Sequence, residues 1–204
     1  MEKNFTVDND TFASNPGNAN LNPFIWFIHN YQIVSILGAS FIISLFLVFK
    51  ISLWFIIILS LSLIINIFYW LRKKEHFKSG DSNGGLVISI NPKLVAITTD
   101  LTKGFGHYPV VKIIHYKTSK KIKIGDKIAT VALYSSSTDD SLPHWIDFHP
   151  IPLSYATKNK STHQSAINSY ESTQWEDLEK RLTEIDKPYK IGLYKVDVKN
   201  SDWN

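Results

Sequence analysis

Cysteine is absent from the 204-residue chain, and methionine occurs once, as the first residue. The lack of thiols excludes disulfide scaffolds, cysteine-ligated zinc, iron–sulfur clusters and thiol nucleophiles. A single methionine also excludes a methionine-rich groove and a copper–thioether site. Any site in this protein must therefore be built from oxygen and nitrogen groups.

Charge is nearly missing from the first third of the chain. Between Asp10 and Arg72 the only formally charged side chain is Lys50, although the whole chain carries 22 basic and 18 acidic residues. The mean hydropathy of -0.07 is therefore the average of an apolar segment and a polar remainder. This segregation excludes a uniform soluble globule, a disordered chain and a coiled coil.

Two uncharged apolar runs, residues 31–49 and 51–71, lie on either side of Lys50. At about 1.5 Å per residue, each is long enough for a helix that crosses a hydrocarbon core of about 30 Å. A hairpin lets the Lys50 ammonium group reach the headgroups, whereas one continuous helix would place it near the bilayer midplane. The sequence predicts a transmembrane helical hairpin over 23–74 that acts as an anchor. The alternative is a pair of helices inside a soluble core, which the rest of the chain is too short to cover.

Basic residues after the second run set the expected orientation. Because cytoplasmic loops carry an excess of lysine and arginine, Arg72-Lys73-Lys74 predicts that the chain beyond it is cytoplasmic. Two spans then return the N-terminal side to the same compartment. Both termini are therefore expected on the cytoplasmic side of a bacterial inner membrane. By composition, residues 1–22 predict a disordered tail and residues 75–85 a flexible linker.

Residues 86–204 change to short β-type runs followed by helical patterns. A capping box of Thr173 and Glu176 predicts the start of a helix, and 162–170 predicts a shorter one. The first of these helices is expected to carry an apolar stripe of Trp175, Leu178, Leu182 and Ile185. The expected strands are 86–90, 94–98, 110–116, 121–124, 127–134, 145–148 and 190–198. The predicted fold is α+β: an N-terminal two-helix transmembrane hairpin followed by a small, mainly antiparallel β domain with one or two C-terminal helices.

Several motifs resemble one known family over residues 91–194. They are Thr99-Asp100-Leu101, a run from Gly125 to Tyr134, His144-Trp145-x-Asp147-Phe148-x-Pro150-x-Pro152, and Pro188-Tyr189-x-x-Gly192-Leu193-Tyr194. The chain resembles an uncharacterised bacterial family of membrane-anchored proteins, catalogued as a domain of unknown function. The resemblance implies a bacterial protein of this layout, and it implies no activity.

Four residues in the third motif, His144, Trp145, Asp147 and His149, are the candidate binding site. On an extended strand, Asp147 and His149 share one face while His144 takes the other. Two ligands on one face are too few for a metal ion unless His107, His115 or His163 supplies a third, and nothing in the sequence places one of them nearby. Neither a metal nor another cofactor is therefore predicted. Two hypotheses remain: the site of a membrane-tethered enzyme, or a structural segment in which Trp145 packs and Asp147 holds a turn.

A run of lysines between residues 112 and 127 is the second candidate surface. Its members are Lys112, Lys117, Lys120, Lys121, Lys123 and Lys127. They are explained either as a solvated strand edge that resists aggregation or as a surface attracted to anionic lipid headgroups. Nucleic acid is a disfavoured partner because no recognised binding motif accompanies the lysines. The sequence thus predicts an uncharacterised membrane-anchored protein whose cytosolic domain is a binding or interaction module at the inner-membrane surface.

Overall fold

The computed structural model describes residues 13, 15–103, 106–136 and 142–196. Within them, two long apolar helices precede a six-stranded antiparallel sheet against which two shorter helices pack. The predicted α+β architecture is confirmed. Residues 1–12 and 14 of the predicted tail, and positions 197–198 of the predicted last strand, lie outside the described residues.

The apolar part of the chain forms helices α1 (Pro23–His29), α2 (Tyr31–Lys50) and α3 (Ile56–Ser79). Two stretches, Tyr31–Lys50 and Leu53–Ser79, are long and apolar enough to cross a membrane. Only 6% of each apolar window is buried inside the protein. The alternative of two helices inside a soluble core is therefore wrong.

Small and polar side chains hold α2 against α3. The hydroxyl oxygens of Ser40 and Ser62 lie 3.2 Å apart, and the Asn66 amide donates to the Leu37 carbonyl at 3.2 Å. Small residues let two helices approach closely, and hydrogen bonds between helices are favourable where water is scarce. The chain reverses between them through a short 3-10 turn at Leu53–Phe55.

Residues 75–85 do not form the flexible linker that their composition predicts. Helix α3 continues to Ser79, and strand β1 (Asp81–Ile90) begins two residues later. His76 and Phe77 are buried. Gly84 serves close packing, because a Cβ there would lie 2.6 Å from the Tyr170 ring. The glycines that resemble a linker are therefore sites where other groups approach the main chain.

The end of the predicted disordered tail is also ordered. The main-chain N–H groups of Gly17 and Ala19 donate to the carbonyls of Gly80 and Phe77 at 2.9 and 3.0 Å. The Asn22 side chain accepts hydrogen bonds at the start of α1. This segment is held mainly through its backbone, so its side-chain pattern gave no sign of order.

The other strands are β2 (Lys93–Asp100), β3 (Pro109–His115), β4 (Lys127–Ser135), β5 (Asp147–Pro152) and β6 (Gly192–Lys195), in the order β5-β4-β1-β2-β3-β6. The predicted strand at 121–124 is absent from the described sheet. There, the Lys123 N–H donates to the Asp126 carboxylate at 2.8 Å, and Gly125 has a φ of 90°. These contacts form a turn instead of a ladder. The strand predicted at 145–148 lies later, at β5, whose prolines are tolerated because β5 is an edge strand.

Two helices follow the sheet strands, α4 (Lys160–Asn168) and α5 (Ser172–Leu182). The predicted apolar stripe is confirmed: Trp175, Leu178 and Leu182 on α5 are buried, and so is Ile185, three residues after the helix ends. The capping box is formed by Glu171 and Gln174, so the prediction of Thr173 and Glu176 was wrong.

The sheet curls strongly, which brings its distant strands together. Lys112 on β3 lies 2.8 Å from Asp147 on β5, although three strands separate them in the sheet. An isolated bridge also joins Thr102 to His144. The buried residues form two clusters, and α5 packs on the one that includes Leu94 and Val111.

Candidate functional site

Three of the four predicted site residues have hydrogen-bond partners of their own within the fold. His144 donates through Nδ1 to the carbonyl of Trp145 at 2.8 Å, and His149 Nε2 lies 2.9 Å from the Ser135 hydroxyl. Both carboxylate oxygens of Asp147 lie 2.8 Å from Lys112 Nζ. Among the described residues, no group of three histidine, aspartate or glutamate side chains is placed to hold a metal ion.

The six predicted lysines are divided between different environments. The Lys112 side chain is only 16% exposed and is paired with Asp147. Lys127 lies 4.5 Å from the centre of the Trp175 ring, on the α5 side of the sheet. Lys120, Lys121 and Lys123 are exposed. Lys112 and Lys127 therefore have partners of their own within the fold.

Lys117 lies close to the start of the first candidate span. Its main-chain N–H donates to the Tyr155 hydroxyl at 2.6 Å, and the Tyr155 ring stacks on His29 at 4.2 Å. Burial, followed by the positive charges of Lys117 and Lys158, lowers the pKa of His29. Two lysines therefore act electrostatically on a histidine that lies two residues before α2.

A polar cleft opens where β1 and β2 separate. These two strands pair from Gly85 opposite Ile97 to Ile90 opposite Lys93. Residues 81–84 pair with β4, and residues 98–100 pair with β3. The next positions of the β1–β2 ladder are therefore open, and the facing parts of both strands are polar.

Tyr134 lies at the centre of one wall of this cleft. Its hydroxyl donates to Asp81 Oδ2 at 3.0 Å and lies 2.7 Å from the Thr99 hydroxyl. Burial and the Asp81 charge raise the pKa of Tyr134 well above its usual range. The phenol is therefore a neutral hydrogen-bond donor and acceptor at all ordinary pH values.

Tyr170 closes the narrow end, where the two strands begin to part. Its hydroxyl donates to the Thr98 carbonyl at 3.2 Å and accepts from the Gly84 N–H. These two main-chain groups are the next potential ladder partners, so the tyrosine replaces one step of the sheet. Burial is the largest cause that raises the pKa of Tyr170 to about 12.

Arg181 reaches the cleft from α5. One terminal nitrogen donates to the Thr98 hydroxyl at 2.6 Å, and the other lies 3.6 Å from Asp177. Its Nε–H is buried and has no hydrogen-bond partner in the described part of the chain. The same holds for Asn83 Oδ1, whose residue is 5% exposed.

Asp100 lies at the mouth of the cleft and organises the loop after β2. Its carboxylate accepts from the main-chain N–H groups of Thr102 and Tyr108 at 2.9 and 3.0 Å, and from the Thr102 hydroxyl. Burial raises the pKa of Asp100, but these hydrogen bonds and that of His107 together lower it. The mouth therefore carries a stable negative charge.

Most of the cleft was missed at the level of sequence. It encloses about 640 Å³, and of the predicted site residues it includes Trp145. Its polar lining was available as a signal, because Asp81-Ser82-Asn83 and Thr98-Thr99-Asp100 are polar ends of otherwise apolar strands. The interpretation of 75–85 as a linker removed the first of these segments from consideration.

The fold defines an α+β protein with two candidate membrane spans and a polar cleft in its sheet. A family model, "Protein of unknown function (DUF3239)", matches residues 72–186, which is more than half of the chain. The chain belongs to this family, and the predicted resemblance to an uncharacterised family is confirmed. The match begins at Arg72, so the end of α3 is part of the family's domain.

A solved structure, described as that of a "putative membrane protein from Corynebacterium diphtheriae", is similar to part of the chain. The two chains share 20% sequence identity with a TM-score of 0.48, over 57% of this chain and 100% of the other. Comparison with curated proteins gives no match.

Proposed function

We propose that this protein is a membrane-anchored binding module whose sheet domain is held against the cytoplasmic face of a bacterial inner membrane. The observation that carries the proposal is the unbroken helix α3, which extends from a candidate span to the buried residues His76 and Phe77. A continuous helix restricts rotation of the sheet domain relative to the span. This restriction keeps the side of the domain next to His29 and Tyr155 toward the bilayer.

The charges on that side favour anionic lipid headgroups as the partner. Lys117 and Lys158 both act on His29, just before α2. A lysine close to an anionic membrane surface gains about 1 kcal/mol of binding free energy. The basic flank Arg72-Lys73-Lys74 favours the cytoplasmic side for the same domain.

The alternative function, a membrane-tethered enzyme, has less support. It requires His144, Asp147 and His149 to act together, but each of them has a separate partner within the fold. No contact of the described residues favours this alternative over a binding module.

The proposal predicts that anionic lipid raises the pKa of His29. Burial, followed by the charges of Lys117 and Lys158, makes a protonated His29 unfavourable, and a lipid phosphate close to these lysines offsets their charge. The full chain, with labelled histidine rings, is placed in nanodiscs of phosphatidylcholine or of an equal mixture with phosphatidylglycerol. NMR titration of the His29 ring, assigned with His29→Gln, is expected to show protonation at higher pH in the mixture.

A charge-matched pair of variants separates a local contact from the general surface potential. Lys117→Gln with Lys158→Gln should raise the His29 pKa in phosphatidylcholine and reduce its response to phosphatidylglycerol. Lys120→Gln with Lys121→Gln removes the same charge from the exposed loop. This pair should change neither the His29 pKa in phosphatidylcholine nor its response to phosphatidylglycerol. An unchanged His29 pKa in the two membranes, or an equal effect of the two pairs of substitutions, would show that this side does not contact headgroups.

A further inference from the structure

The cleft between residues 81–84 of β1 and 98–100 of β2 has the construction of a ligand site that the membrane-surface function does not use. We propose that it binds a hydroxyl-rich small molecule without negative charge, in the chemical class of sugars and amino sugars. The proposal depends on the separation of the strands, on two unpartnered buried groups and on the charge of the lining.

The separation of the strands is a built feature of the fold. The Tyr170 hydroxyl bonds to Thr98 and Gly84 at the point where the ladder stops. A side chain at position 84 would collide with this tyrosine, since a Cβ would lie 2.6 Å from its ring. The combination of a glycine and a tyrosine thus holds β1 and β2 apart, and a cavity remains beyond them.

Two buried groups, one on β1 and one on α5, lack partners among the described residues. Asn83 Oδ1 can only accept a hydrogen bond, and Arg181 Nε–H can only donate one. Buried polar groups are nearly always hydrogen-bonded, and those that are not call for a ligand or water. A molecule with several hydroxyl groups offers both a donor for Asn83 and an acceptor for Arg181.

The lining disfavours an anionic ligand. Four carboxylates, those of Asp81, Asp100, Glu171 and Asp177, line the cleft with a single guanidinium. Arg181 is already close to Asp177, so little positive potential remains for a phosphate or carboxylate. The negative potential of these carboxylates does not repel an uncharged polyol, and it attracts an ammonium group.

The dimensions of the cleft suit a small molecule. Its volume of about 640 Å³ lies within the usual range for ligand pockets, about 300–1,000 Å³. Trp145 adds an aromatic wall beside the polar groups.

Three probes with the same pyranose ring and different charges test the proposal: glucose, glucosamine and glucuronate. Saturation-transfer-difference NMR is recorded on the full chain in nanodiscs, with each probe at the same concentration. We expect transfer to glucose and glucosamine and none to glucuronate. Glucosamine should displace glucose, because both occupy the same cleft.

Paired variants locate the binding. Asn83→Leu removes the free acceptor, and Asn168→Leu makes the same change on the exposed surface of α4. Arg181→Met removes the free donor and keeps much of the side-chain stem, while Lys180→Met is its neighbour on the exposed side of α5. The cleft variants should lose the transfer and the surface variants should keep it, with thermal unfolding as the check of folding.

Three results would overturn the proposal. One is the absence of transfer to glucose and glucosamine in the unaltered protein. Another is equal transfer to glucuronate, which would show that charge does not select the ligand. The third is transfer that persists in Arg181→Met, which decides the location even if Asn83→Leu fails to fold.

Discussion

The ion pair between Lys112 and Asp147 joins two strands that are far apart in the order of the sheet. Lys112 Nζ contacts both carboxylate oxygens of Asp147 and also the Phe148 carbonyl, at 2.6 Å. The exposed fractions of the two side chains are 16% and 32%. At this degree of burial, the ammonium group depends on its partners for most of its hydrogen bonds.

Asp147→Ala should therefore destabilise the domain. The substitution leaves a largely buried ammonium group without its carboxylate, and an unsatisfied polar group of this kind costs about 1–3 kcal/mol. Denaturant unfolding of the full chain in detergent, followed by tryptophan fluorescence, measures the loss. The combined variant Asp147→Leu with Lys112→Met should recover part of it, because it removes both charges. Equal stability of Asp147→Ala and the unaltered protein would mean that the pair contributes nothing to the fold.

Sequence reasoning found both members of this pair but assigned them to different surfaces. Asp147 belonged to the motif near His144, and Lys112 belonged to the lysine run. Alternation along a strand gives the face of a residue but does not give the curl of the sheet. The contact exists only because the curl brings β3 to β5, so neither residue's pattern could indicate it.

Helix α5 shows how far local pattern determines an element. The apolar stripe from Trp175 to Ile185 follows the helical period, and it was predicted correctly. The starting residue of the helix was predicted wrongly, because two overlapping pairs have the spacing of a capping box. These pairs are Glu171 with Gln174 and Thr173 with Glu176. Packing of Tyr170 against Trp175, with ring centres 5.0 Å apart, accompanies the earlier start.

The two caps differ in a way that can be measured. Glu171→Ala should lower the free energy of unfolding by about 0.5–2 kcal/mol, as expected for the loss of an N-cap. Thr173→Ala should stay within about 0.5 kcal/mol, as for most surface substitutions. Thermal unfolding of both variants in the same detergent makes the comparison. The reverse order of effects would place the start of α5 at Thr173.

The segment from Gly80 to Gly85 shows why composition failed at another element. Glycine, serine and asparagine are typical of linkers, but here each strand position has a specific partner on β4. Thr130 donates to the Asn83 carbonyl at 2.9 Å, and Asp81 accepts from the Asn15 N–H at 3.1 Å. The apolar halves of β1 and β2 were predicted, whereas their polar halves form the cleft and carry no apolar alternation.

At the scale of the whole molecule, the orientation of the domain is a prediction from charge. The absence of cysteine allows single cysteines to be placed at positions 50 and 136 without a background. With a membrane-impermeant thiol reagent on intact cells, Lys50→Cys should be labelled and Ser136→Cys should be protected. Labelling of Ser136→Cys after the cells are opened is the control for reactivity. Labelling of position 136 in intact cells would place the sheet domain outside and would remove the inner leaflet as its partner.

The unbroken helix α3 has a mechanical consequence. Only Gly80 lies between its last residue and Asp81, and His76 Nε2 donates to the Val131 carbonyl at 2.8 Å on the neighbouring strand. The candidate span and β1, which forms one side of the cleft, are therefore closely connected. A membrane helix tilts when the bilayer becomes thinner or thicker. We expect such a tilt to be transmitted to β1, and the width of the cleft to change with the thickness of the membrane.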